Sequence, residues 1–142
     1  MKILFVLVAL SLFASAAAIS LADAIFEQLE IFVGNGGNLV SKDAADLIIL
    51  TLGHFDMATT GFSKDDLDNL QYFFYTYILG VVQIYKSGLT QAQTNKAVSN
   101  YVQSMQLELR AMFHPTRDEM EVTLKVIEAS IGRYIKKYGV GN

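Results

Sequence analysis

The chain of 142 residues contains no Cys, no Trp and a single Pro. Without Cys there is no disulfide scaffold, no thiol nucleophile, no Cys-ligated zinc and no iron–sulfur cluster. Positive charge is also scarce. Eleven Lys+Arg against fourteen Asp+Glu give a net charge of −3, so no basic face for nucleic acid is expected. Only two His are present, and no G-x-S-x-G or other nucleophile turn occurs, which leaves little for acid–base or nucleophilic catalysis. The chain therefore reads as a non-enzyme without a cofactor. Its length fits one domain of about 100–150 residues.

What is abundant is apolar sequence, 52% of the chain. Much of it opens the sequence. Met1-Lys2 is followed by an apolar run from Ile3 to Phe13, interrupted by Ser11 alone, and then by Ala14, Ser15, Ala16, Ala17 and Ala18. This is the three-part layout of a secretory signal peptide, with cleavage after Ala16 or Ala18. The run falls well short of the roughly 20 residues that span a bilayer, so it is not read as an anchor. The expected organisation is a signal peptide over 1–18 and one domain over 19–142, secreted and extracellular. Loss of Lys2 makes the domain one unit more negative. A domain of this size buries roughly 65% of its unfolded surface and needs no disulfide staples. Asn38, Asn69, Asn95 and Asn100 lack a hydroxyl residue two places on, so N-glycosylation is not expected.

Caps and periodicity divide the domain into five helices. Breaks fall at 34–38, 59–61, 87–88 and 114–115. Ser20, Ser41, Ser63, Thr90 and Thr116 each stand before a segment with an acid or amide in its first turn, the signature of an N-cap or capping box. The expected helices are 20–33, 42–58, 64–86, 91–113 and 117–138. In the third, Leu67, Leu70, Phe74, Tyr77, Val81 and Ile84 recur at steps of three and four. Val98, Val102, Met105, Leu109 and Met112 do so in the fourth, and Met120, Leu124, Ile127, Ile131, Tyr134 and Tyr138 in the fifth. Such stripes pack helices at shallow angles. Acids open the last helix (Asp118, Glu119, Glu121) and bases close it (Arg133, Lys136, Lys137), in keeping with the helix dipole. With no period-two alternation, no sheet is expected. The fold predicted is all-α, an up-and-down bundle of four or five antiparallel helices.

The third segment is the most unusual. From Asn69 to Tyr85 it carries no charge and holds six aromatic residues. A helix apolar on all faces is wrapped by protein or faces lipid. It is too short and too polar to span a membrane, with Gln71, Thr76 and Gln83 inside it. A central, wrapped helix is one reading. The other lines a ligand cavity, with Tyr hydroxyls orienting an amphiphile between apolar walls. The lining candidates are Tyr72, Phe73, Tyr75, Tyr77, Ile78, Met105 and Met112. Met57 and Met120 could add adaptable surface.

Antiparallel alternation also gathers His54, Asp56, Asp65, Asp66, Asp68, His114, Asp118, Glu119 and Glu121 at one end of the bundle. His54, His114, Asp65 and Asp118 are weak metal-ligand candidates, because the two His do not share the i, i+4 zinc spacing. Acids in first turns suit the helix dipole without any metal. Asp66-Leu67-Asp68 lacks the Gly and closing Glu of an EF-hand. The Gly34–Asn38 loop has neither dinucleotide nor phosphate-loop spacing and reads as a helix connector.

No motif singles out a family. The function expected is a secreted, non-enzymatic carrier of a small apolar ligand such as a fatty acid or sterol. The alternatives are an extracellular interaction or self-associating module, including a homo-oligomer, and a membrane-active protein that inserts its third helix. The acidic balance weighs against attraction to anionic bilayers.

Overall fold

A computed structural model of the chain describes residues 20–55, 63–112 and 118–139, of which 118–121 by backbone alone. The 1–18 leader lies outside the described residues, as do 56–58 of the expected second helix. The described residues form five helices: α1 (Leu21–Gly34), α2 (Lys42–His54), α3 (Lys64–Lys86), α4 (Gln91–Met112) and α5 (Asp118–Tyr138). Among the described residues there is no strand, and the fold is an all-α bundle.

Local chemistry sets the helix starts. Ser20 Oγ accepts from Asp23 N–H at 3.1 Å and Ser41 Oγ from Ala44 N–H at 3.1 Å. Ser63 and Asp66 close a full capping box, and Thr90 and Gln93 exchange the same pair of bonds. Each such cap stabilises by about 1 kcal/mol. Thr116 lies outside the described residues. The second helix ends earlier than its sequence pattern suggests. Helical bonding stops at His54, and Phe55 turns its N–H back to Leu52 and Gly53. Gly53 sits in that last turn, where its poor helix propensity favours termination.

The heptad stripes form the core. Leu70, Phe74, Tyr77 and Val81 of α3 are fully buried, together with Leu109 of α4 and Leu124, Ile127 and Ile131 of α5. Each large apolar side chain so buried contributes about 1.5–3 kcal/mol. Packed against α2, α4 and α5, α3 also buries Phe73, Ile78 and Val82. It is not apolar all round, however. Asp68, Asn69, Tyr72, Thr76, Leu79, Gln83 and Lys86 form a solvent-exposed stripe at helical spacing. That stripe is neutral over most of its length, and the absence of charge together with the many aromatic residues made it look buried.

Between α3 and α4 the contact depends on a glycine. A Cβ on Gly80 would lie 2.1 Å from Tyr101 Oη. The open backbone lets the Tyr101 ring lie on α3, stacked on Tyr77 at 5.6 Å, while its hydroxyl donates to Thr76 O at 3.3 Å.

The chain termini of the bundle meet along α1 and α5. Ser130 Oγ donates to Ala22 O (3.1 Å), Arg133 pairs with Asp23 (2.7 Å) and Lys137 with Glu30 (2.9 Å). Residues 22–30 thus advance alongside 130–137, and the two helices run parallel. Arg133 also lies over the Phe26 ring at 4.0 Å. These surface pairs hold register rather than the fold, since exposed ion pairs contribute at most about 1 kcal/mol. The apolar face of α1, with Ile25, Phe26, Leu29 and Phe32 buried, joins the common core.

Candidate functional site

A concavity of about 590 Å³ lies where the α1–α2 connection faces the ends of α3 and α5. Its first wall is built by local turn chemistry. Asn35 N–H and Nδ2 both reach Ile31 O, Gly36 adopts φ 92°, and Gly37 N–H returns to Phe32 O at 2.9 Å. A Cβ on Gly37 would meet the Phe32 ring at 2.5 Å, so glycine lets the chain cross over that ring. Asn38 Oδ1 then accepts from Val40 N–H at 2.9 Å, and Ser41 Oγ–H donates to Asn38 O at 2.6 Å. The result presents Leu39 and Val40 to the cleft.

The second wall is one face of α3. Leu79, Val82, Gln83 and Lys86 have the i, i+3, i+4, i+7 spacing that places residues on one side of a helix. The third wall is the last turn of α5, where the Tyr134 and Tyr138 rings pack at 4.8 Å. Polarity changes with depth. Val82, Leu39 and Tyr134 are at least nine-tenths buried, whereas Asn38, Gln83, Lys86 and Tyr138 lie at the exposed mouth. Leu79 is 38% exposed within it.

Among the described residues, Lys86 is the only charged one lining the cleft. Behind it, the Glu30 carboxylate accepts from Tyr138 Oη and from Lys137 Nζ. These bonds, Tyr138 first, hold its pKa below the usual carboxylate range, and Glu30 in turn raises that of Lys137. Glu30, bonded to Tyr138 of the cleft, is thereby already matched.

A smaller cleft of about 230 Å³ lies between α4 and α5, lined by Val98, Ser99, Val102, Gln103, Lys125 and Glu128. Glu128 accepts from Tyr85 Oη at 2.9 Å, and Gly132 makes room for that hydroxyl. Burial raises the Glu128 pKa, against the Tyr85 hydrogen bond and Lys136. Burial, then Glu128, pushes Tyr85 up to about 12. A carboxyl raised in the fold costs stability once pH climbs through its folded value, and costs nothing below its unfolded value. Glu128→Gln, which keeps an acceptor for Tyr85, is therefore expected to melt above wild type at pH 7. The difference, less than about 1 kcal/mol after solvent screening, closes below about pH 4.3. Asp23 and Glu30, whose pKa values are lowered, give the opposite slope in both proteins, so thermal melts of the pair isolate Glu128.

The residues singled out from sequence fall elsewhere. Phe73, Tyr77, Ile78 and Met105 are buried in the core, Tyr75 is half-buried, and Tyr72 and Met112 are 60% and 44% exposed. None of the seven lines either cleft. Tyr77 is held by core bonds, its hydroxyl donating to Leu124 O at 2.7 Å. Tyr72 lies beneath Lys42, 5.9 Å from the ring centroid. His54 and Asp65 are exposed, and Asp66 is occupied by the Ser63 cap. His114, Met57 and Asp56, with the side chains of Asp118, Glu119, Met120 and Glu121, lie outside the described residues. Among the described residues no three His, Asp or Glu are grouped to hold a metal, and no helix is long and apolar enough to cross a membrane.

The cleft escaped sequence reading because four separate segments build it. Its one legible part is the Leu79–Lys86 face, whose apolar members had no place on the heptad stripe. Comparison of the chain with models of protein families, with curated proteins and with solved structures yields no match.

Proposed function

We propose that the protein is a secreted, non-enzymatic carrier of a small amphiphile, and that the cleft between the α1–α2 connection, α3 and α5 is where the ligand sits. One observation carries the reading: a cleft of about 590 Å³ with apolar depth and a polar mouth. That volume is within the roughly 300–1,000 Å³ typical of small-molecule sites. The signal-like leader supplies the secreted half of the proposal. Among the alternatives, an interaction module draws on exposed Tyr72, Leu107 and Val122. These lie on three different helices, and single exposed apolar residues are ordinary on a protein surface.

Thermal melting with sodium dodecanoate, dodecanol or cholesterol tests the proposal. Dodecanoate or dodecanol at a hundred times its Kd should stabilise the fold by about 2.7 kcal/mol through mass action, a rise of several degrees. Leu79→Glu places a charge in the cleft at a half-open position and should remove that rise while leaving the ligand-free melt nearly unchanged. No rise with any of the three compounds would refute the carrier reading.

A further inference from the structure

We infer that the cleft selects amphiphiles with an anionic oxygen headgroup, carboxylate or phosphate, and that Lys86 is the residue that selects them. The inference rests on the carrier reading and adds the class of ligand to it.

Lys86 stands on the last turn of α3, exposed, and makes no ion pair among the described residues. Asn38 has its carbonyl oxygen taken by Val40 N–H, which leaves its amide N–H groups as the polar atoms it can turn outward. Gln83 adds a second amide on the same face of α3. Among the described residues no Asp or Glu lines the cleft, and Glu30 behind Tyr138 is neutralised by Lys137. An ammonium headgroup would meet Lys86 with like charge and find no carboxylate to pair with. A neutral hydroxyl would leave the lysine unused. An anion gains both the charge and the donors, while its chain lies over Leu79, Val82 and Tyr134.

Lys86 is exposed, so its contribution is that of a solvent-screened pair. The test measures affinities of dodecanoate, dodecyl phosphate, dodecanol and dodecylamine, each below its micellar concentration, for wild type, Lys86→Gln and Lys86→Arg. Lys86→Gln is expected to weaken the two anions by about threefold to fivefold and leave dodecanol within about twofold. Lys86→Arg is expected to restore them, and added salt to narrow the gap. Loss confined to one anion would support the inference and name the headgroup. If the anions and dodecanol all bind but Lys86→Gln changes them equally or not at all, the headgroup inference falls and the carrier reading stands. If none of the four compounds binds, both fall.

Discussion

Tyr77→Ala is expected to destabilise the protein by about 3–5 kcal/mol, the range for removing a buried aromatic side chain and leaving a cavity. Tyr77 is 0% exposed and sits where α3, α4 and α5 converge. Its ring stacks on Tyr101 with 10° between planes, and its hydroxyl donates to Leu124 O, fixing α3 against α5. The cost has two separable parts. Tyr77→Phe keeps the ring and removes only the hydroxyl, so it should cost about 1 kcal/mol, the net worth of a typical internal hydrogen bond. Urea unfolding of both variants checks the partition. A Tyr77→Ala cost below about 1 kcal/mol would mean that Tyr77 is not a core residue in solution.

The second large effect has the opposite sign. Gln28 on α1 is 0% exposed, and neither its Nε2 nor its Oε1 has a hydrogen-bond partner among the described residues. It lies among Ala24, Ile25, Leu29 and Phe32 on the buried face of the helix. An unpaired buried amide costs about 1–3 kcal/mol of desolvation, whereas an apolar group of the same shape costs none. Met has nearly the same length and flexibility. Gln28→Met should therefore raise stability by about 1–3 kcal/mol, read as a higher urea midpoint with an unchanged m-value. A lower midpoint would show that the amide is satisfied in solution and that α1 packs differently.

These two residues also mark what the sequence discloses. Tyr77 belongs to a stripe at steps of three and four, and the structure buries most of each such stripe. Met112 and Tyr138, the last residues of theirs, are 44% and 53% exposed and stand in the last turns of α4 and α5. The caps were legible for the same local reason: Ser20, Ser41, Ser63 and Thr90 satisfy donors within three residues of themselves. Gln28 could not be placed in advance, since nothing local distinguishes a buried amide from a surface one. The charge-free stretch of α3 misled for a related reason. Tyr72, Thr76 and Gln83 need no charge to face water, and the ligand candidates drawn from that stretch settle mainly in the core or on the outer surface. The cleft depends on which segments meet. Val33, Leu39, Leu79 and Tyr134 come from four places in the chain, and only tertiary packing joins them. The parallel contact of α1 with α5 rests on pairs more than 100 residues apart, and Lys137 with Glu30, 107 apart, stands at the cleft end.

Carriage of an amphiphile in that cleft is the central claim, and native mass spectrometry tests it most directly. The full chain is expressed in a secreting cell, recovered from the medium, and weighed under native and denaturing conditions, beside Leu79→Glu. The account predicts a native mass excess of one small molecule, lost on denaturation and absent from Leu79→Glu. A native mass equal to the denatured mass, with no adduct when dodecanoate is added, would contradict it.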